Sequence, residues 1–248
     1  MNDAHRAEIQ EEFGRAAEPF ARRTAGRFDV LDVVAFSQVA RGASVMEVGA
    51  GTGNFLSLFR AVAGSLLAVD LTHEMLRVAR EVHEGLRLVV GDGYALPFAS
   101  GSVDLVTSAQ TFHHIHRPVP VLEEMRRVVA PDGRILVVDQ VATERYEEAA
   151  LMTDLETVRD PTHAASRPPS AMRIMLEAAG LRIVDERFVE DQQLFSRWMW
   201  PDEFPQARID AVRAFVEEHG DRTGMGFARE GDDFVFFRRR MMLLAERV

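Results

Sequence analysis

The segment Val45 to Phe55, VMEVGAGTGNF, constrains this chain more than any other. A short apolar run carries one acid, Glu47, and then Gly49, Gly51 and Gly53 alternate with small residues. Such a run reads as a buried strand feeding a tight turn into a helix, where a backbone stripped of side chains lets a ligand approach closely. A dinucleotide fingerprint places its third glycine three positions after the second. That position here is Asn54. The pattern is instead E-x-G-x-G-x-G, and Glu47 would face a positive group better than a diphosphate. A ligand with an ammonium end and a nucleoside end fits, and a plain tight turn is the rival reading of an isolated glycine cluster.

Two further acids weigh against the plain turn. Ser65 to Asp70, SLLAVD, is a second apolar run ending in a carboxylate, at the spacing of about 20 residues that puts an acid on ribose hydroxyls in nucleotide-binding sheets. Leu86 to Asp92, LRLVVGD, is a third, with Gly93 after its acid. Ligands of parallel sheets sit at the carboxyl ends of strands near the switch point, so three strands presenting acids or glycines there form one pocket.

VMEVGAGTGNF, AVDLTHEML, GDGYALPFASGSVDLV and MRRVVAPDGRILVVD, in this order from about Val45 to Asp139, resemble the successive motifs of class I S-adenosylmethionine-dependent methyltransferases. They are most similar to the group that includes the ubiquinone and menaquinone biosynthesis C-methyltransferases. The resemblance implies an α/β, Rossmann-like fold with a seven-stranded, mostly parallel sheet, an antiparallel last strand and helices on both faces. It implies S-adenosyl-L-methionine as cofactor and S-adenosyl-L-homocysteine as its product. Glu47 and the backbone at Gly49, Ala50 and Gly51 would hold the methionine end. Asp70 would take the ribose hydroxyls, Leu71 would flank the adenine, and Met75 joins the cofactor-binding set. Asp92 would accept from the adenine amino group with the Gly93 backbone nearby, and Gln110 and His114 would lie beside the transferable methyl.

Composition bounds the partners. The 248 residues, 47% of them apolar, suffice for one sizeable core, so a single domain over 1–248 is expected. Within it 1–40 reads as a helical cover, 41–140 as the cofactor-binding half, and 141–248 as the substrate-side half with a lid-like insertion at about 190–232. No run approaches the roughly 18 apolar residues of a membrane span, and MNDAHRAEIQEEF is too polar for a signal peptide, so a cytoplasmic monomer or homodimer is expected. Zero cysteines exclude thiolate chemistry and cysteine-ligated metals. All 29 basic residues are arginine, which removes Schiff-base and phosphate-loop lysines. A net charge of -10 disfavours nucleic acid. The run Arg238 to Arg240 reads as alternating solvent-facing arginines in the final strand.

Along the chain, Asp3 to Ala17 and Phe28 to Val39 read as two amphipathic helices ahead of the first strand. Asn54 to Val62 reads as a helix after the glycine loop, Thr72 caps one through Val82, and Pro118 opens one through Val129. Ser102 to Ser108 and Arg134 to Asp139 read as the fourth and fifth strands, Ser170 to Ala179 as a helix stopped by Gly180, and Leu181 to Val189 as a strand. In the resembled family the last two strands form a hairpin, so roughly 40 residues between them must fold over something, and the open face of the site is the natural place.

Three segments outside the motifs are candidates for the substrate. Gln110 to His116, QTFHHIH, borders the methyl group, where His113 or His114 is a candidate base or a shaper of the cofactor pocket. His116 reads as a surface residue. A metal is not expected, because no carboxylate neighbours these histidines in sequence and Gln110 replaces the acid of metal-dependent relatives. In Arg159 to His163, Asp160 and His163 offer further acid-base groups, against the rival of a turn stiffened by Pro161. LFSRWMWPDEF, Leu194 to Phe204, either lines a pocket for a flat or prenyl-like acceptor or packs an apolar helix face. Phe13 and Phe20 are placed to cover the cofactor.

The expected activity is methyl transfer to oxygen, nitrogen or carbon of a small-molecule acceptor, secondary metabolites included. The exit of the fourth strand reads SAQTFHH rather than N-P-P-aromatic, which disfavours exocyclic base and glutamine amide nitrogens. A cyclase or lyase that uses the sulfonium without methyl transfer stands as the alternative.

Overall fold

Alternation along the apolar runs sorts the core into two layers. In β1 (Ser44–Val48), Met46 and Val48 pack on one face with Val106 and Val137, while Val45 packs on the other with Ala68, Leu105 and Leu136. The computed structural model describes residues 3–248. β2 (Ser65–Asp70), β3 (Leu86–Val90), β4 (Val103–Ala109) and β5 (Val129–Gln140) join β1 in parallel, in the order β3-β2-β1-β4-β5. β6 (Leu181–Leu194) lies at the far edge, and β8 (Asp233–Arg247) runs antiparallel between β5 and β6. These seven strands reproduce the expected sheet. β7 (Ala228–Glu230) adds a short eighth, a hairpin arm on β8 that the sequence reading lacked.

The helices follow their apolar faces, but Thr72, expected to cap the helix through Val82, makes no side-chain cap hydrogen bond. α3 (His73–Val82), α4 (Pro118–Val128) and α6 (Pro169–Ala178) lie where periodicity put them, two of them entered through proline, which suits a first turn with no partner for its N–H. α1 (Asp3–Thr24) runs past Ala17 and through Pro19, and only Val33–Ser37, α2, remains of the second expected helix. The expected helix from Asn54 to Val62 is a 3-10 turn at Leu56–Phe59. Asn54 cannot cap it, because its Nδ2 donates to the Ala21 carbonyl and to Thr24 Oγ1 while its Oδ1 faces His83 Nε2.

Between β5 and α6 runs α5 (Tyr146–Arg159), and between β6 and β7 run α7 (Phe195–Trp198) and α8 (Gln206–His219). Met152 and Leu155 of α5 pack with Phe195, Trp198, Val212 and Phe236 into a third core over the strand ends. This cap explains the fate of the arginine run. Phe234, Phe236, Arg238 and Arg240 share one side of β8, and the cap buries that side. Arg238 and Arg240 are therefore 5% and 1% exposed, contrary to the expectation of solvent-facing arginines.

Candidate functional site

The glycine loop leaves β1 at the carboxyl edge of the sheet with Gly49, Gly51 and Gly53 all at positive φ (73°, 52° and 77°). Their surroundings differ. A Cβ on Gly49 would lie 2.4 Å from Thr111 Cγ2 and one on Gly53 2.8 Å from Leu86 Cδ1, whereas one on Gly51 would find only Phe20 Cε1, at 4.0 Å. Gly49 and Gly53 are thus bare to fit the protein, and Gly51 is bare toward a cavity.

That cavity holds about 1020 Å³ of empty space and opens over the ends of β1, β2 and β4. Each sequence-predicted cofactor residue, Glu47, Gly49, Ala50, Gly51, Asp70, Leu71, Met75, Asp92, Gly93, Gln110 and His114, lines it. Asp70 is fixed by the Gly51 N–H on Oδ2 (2.7 Å) and the Thr72 N–H on Oδ1 (2.8 Å). Burial raises its pKa and those amide donors pull it back. Glu47 is 1% exposed and its Oε2 has no partner. Burial holds its pKa well above the carboxylate range, as expected of an acid awaiting a cation.

α1 lies across this cavity. Phe13 and Phe20 line it, Gln10 donates to the Leu71 carbonyl at 3.0 Å, and Arg6 donates to Asp92 Oδ2 at 2.6 Å. Asp92 thus carries an arginine where the resemblance expects an adenine amino group. Sequence reasoning missed Arg27. Its Nη2 donates to Gln110 Oε1 at 2.5 Å, while Gln110, a non-glycine residue at φ 54°, keeps a buried Nε2 without a partner. Burial and then four nearby arginines push the Arg27 pKa well down, and its guanidinium bonds to the Gln110 carbonyl oxygen rather than to an acid. An unpartnered acid, a cation lacking an acid and an unused amide N–H in one cavity match a zwitterionic end, an ammonium with a carboxylate. The residues therefore fit S-adenosylmethionine.

A second cavity, about 570 Å³ with the open solvent at its mouth counted, adjoins the first and shares Phe13, Phe20, Arg27, Gln110 and His114 with it. His113 lines it with its Nδ1 2.7 Å from Asp139 Oδ1. Burial alone would raise the Asp139 pKa, but the His113 charge and hydrogen bond hold it below the ordinary value. As a carboxylate Asp139 can only accept, so His113 Nδ1 carries a proton. The Asp139 oxygens also accept from the His113 and Gln140 amides. His114 Nδ1 faces Thr162 Oγ1 at 3.0 Å, and burial with the charge of His113 keeps its pKa low.

The Asp160 segment is a turn that also reaches the second cavity. Asp160 Oδ1 accepts from the Thr162 amide and hydroxyl, the turn-stabilising role, and the residue also lines the second cavity. His163 is not among the lining residues; it is 6% exposed, pairs with Ser166 Oγ at 3.1 Å, and is pushed down to about 3, chiefly by burial. Of the tryptophan segment, Trp198 is packed in the cap core and Phe204 reaches the cavity wall. His116 is exposed against His5, with ring centres 4.4 Å apart. Among the described residues, no group of three or more histidines and acids is arranged to hold a metal.

Residues 46–137 match the family described as "Methyltransferase domain". The uncharacterized protein YafE of Escherichia coli is 29% identical over 176 residues, 68% of this chain and 84% of YafE. The uncharacterized methyltransferase YcgJ of Bacillus subtilis is 31% identical over 146 residues, 57% of this chain and 58% of YcgJ, so that match spans little more than half of the relative. The crystal structure of YcgJ superposes with a TM-score of 0.77 at 22% identity, covering 90% of this chain and 99% of that one. The (4+2) cyclase SpnF shares the fold as well, with a TM-score of 0.62 at 17% identity over 88% of this chain and 80% of SpnF.

Proposed function

We propose that this chain, a class I S-adenosylmethionine-dependent methyltransferase, methylates oxygen, nitrogen or carbon of a small-molecule acceptor in the second cavity, with His113 as general base and Asp139 as its positioning residue. The observation that carries this reading is the Asp139–His113 pair on the cavity that continues the cofactor pocket. When bound, the cofactor supplies a methyl group already activated on a sulfonium. The chain then has three tasks: to align the acceptor, to keep water out, and to take the acceptor's proton where it has one to lose.

Glu47, Gln110 and Arg27 hold the zwitterionic end of the cofactor, Asp70 takes the ribose hydroxyls, and Phe13 and Phe20 cover the site. His113 Nε2 is the proton acceptor. Its carboxylate partner fixes the tautomer and stabilises the imidazolium that forms. His114, neutral near pH 7, shapes the wall between the two cavities. The fold alone, which a cyclase shares, does not decide whether the methyl group moves. A preset base beside the cofactor pocket favours transfer. None of the described helices is long and apolar enough to cross a membrane.

Incubation with methyl-labelled cofactor and a metabolite extract identifies the acceptor. With that acceptor, His113→Asn and Asp139→Asn should each lose roughly 100-fold in turnover. Both should keep S-adenosylhomocysteine affinity within about threefold and recover in part at high pH, where the acceptor ionises unaided. Normal turnover in both variants would remove the pair from the mechanism, and a changed product without label transfer would move the chain to the cyclase class.

A further inference from the structure

The wall of the second cavity beyond His113 is built by arginines. α5 delivers Arg159 from its last residue, β8 delivers Arg238 from its buried side, and α1 delivers Arg23. Arg23 is matched, since its guanidinium donates twice to Glu203 from the lid-like insertion. Arg159 and Arg238 are not matched one to one. They share Glu156, which lies 3.4 Å from Arg159 Nη1 and 3.0 Å from Arg238 Nη2. Both side chains are almost fully buried, at 9% and 5% exposure, and the Nε–H of each has no partner.

Two buried guanidiniums share one carboxylate on this wall, and each keeps an N–H donor unfilled. Such an arrangement is costly in a folded chain unless something else completes it. The Trp198 and Phe204 rings lie 5.0 Å from the Arg159 guanidinium carbon, so the fork is oriented as well as charged. Asp160 is the other acid on this wall. Its Oδ1 accepts from Thr162, its Oδ2 lies 4.0 Å from His114 Nε2, and the neighbouring Arg159 charge helps to hold its pKa low. Glu12 is spent on Arg208 and Arg15.

We propose that the methyl acceptor carries a carboxylate, held by the Arg159–Arg238 pair in the same cavity as His113. The guanidinium fork offers paired N–H groups at the spacing of two carboxylate oxygens, and the unpartnered Nε–H of each arginine calls for a group that only accepts. This specificity runs against the chain's net charge of -10, so anion selection is local to the cavity rather than a property of the long-range field. The inference rests on the methyltransferase reading of the same site, because it names the acceptor class for that activity.

The test uses the whole chain saturated with S-adenosylhomocysteine and two pairs of probes: 4-hydroxybenzoate against 4-hydroxybenzamide, and octanoate against octanamide. Titration calorimetry should show each carboxylate binding at least tenfold more tightly than its amide. Arg159→Gln and Arg238→Gln should each erase most of that preference while S-adenosylhomocysteine affinity stays within about threefold, which also reports folding. Glu156→Gln should shift the other way, tightening carboxylate binding severalfold, a gain that misfolding cannot imitate. Equal binding of acid and amide, no binding of either, or an unchanged preference in the three variants overturns the inference. Failure of the unmodified chain to bind S-adenosylhomocysteine, with carboxylate preference intact, would instead sink the methyltransferase reading.

Discussion

Gly49 and Gly51 stand two residues apart in one loop, and the structure assigns them different work that a pair of alanine substitutions separates. Both have positive φ, 73° and 52°, so alanine at either costs about 1–2 kcal/mol for the left-handed backbone alone. At Gly49 the new methyl would stand 2.4 Å from Thr111 Cγ2 and 2.5 Å from Thr111 Oγ1, contacts that real Cβ atoms do not make. Overpacking adds about 1–3 kcal/mol, for a sum of roughly 2–5 kcal/mol. For a chain of this size each kcal/mol moves Tm by about 2–4 °C, so Gly49→Ala should melt roughly 4–20 °C lower and Gly51→Ala only about 2–8 °C lower. The discriminating measurement is a double-mutant cycle with Thr111→Ala. That change removes the two closest atoms, so it should return much of the Gly49→Ala loss and none of the Gly51→Ala loss. Gly51→Ala should instead weaken S-adenosylhomocysteine binding at least tenfold, because its methyl enters the space assigned to the ligand. Additive melting losses for Gly49→Ala with Thr111→Ala, or unchanged affinity in Gly51→Ala, would refute the division.

Two other expectations follow from the same cavities. Asp70→Ala should weaken S-adenosylhomocysteine binding by about 1–3 kcal/mol, the cost of losing charge-assisted hydrogen bonds to buried hydroxyls, and unchanged affinity by calorimetry would reject the assignment of the ribose. His114 and His163 both sit below the ordinary 6.5, chiefly through burial. Unfolded chain therefore takes up protons that the folded chain refuses, and the stability is complete above pH 6.5 and lost as pH falls toward the folded values, at up to about 1.4 kcal/mol per pH unit for each histidine. Denaturant melts of a His114→Asn, His163→Gln double variant should show a flatter decline between pH 6.5 and 5, and an identical slope would show that these rings do not hold their protons off.

The donor half of the site was legible because its signals are local. Glu47 and three glycines occupy seven consecutive positions, and Asp70 and Asp92 each end an apolar run, so strand order alone brings them to one cavity. Local signals failed where a side chain serves a distant partner. Asn54 looks like the start of a helix, yet its amide is committed to α1 and His83, and the segment closes into a 3-10 turn. Arg27 carried no signal at all, since its role appears only when Gln110, more than eighty residues later, turns its carbonyl toward it.

The acceptor wall is hidden from the sequence for a stronger reason. Arg238 and Arg240 alternate with Arg239 in a strand, and alternation shows which residues share a side without showing which side is covered. Phe234 and Phe236 lie on the same side, four and two residues before Arg238, so the pattern F-x-F-x-R-x-R already marks a side that begins apolar. A side that starts against Trp198 and Phe195 cannot turn to water within one strand without a twist or bulge, and the bulge in this pairing lies elsewhere, between Ile183 and Asp185. Burying arginines there is tolerable only because Glu156 and Asp191 arrive from α5 and β6. Those acids are 82 and 49 residues away from the arginines they meet. The N–H donors left over on Arg159 and Arg238 once Glu156 is shared between them are what would separate a binding site from a structural ion network, and they come together only after the cap has folded over the strand ends.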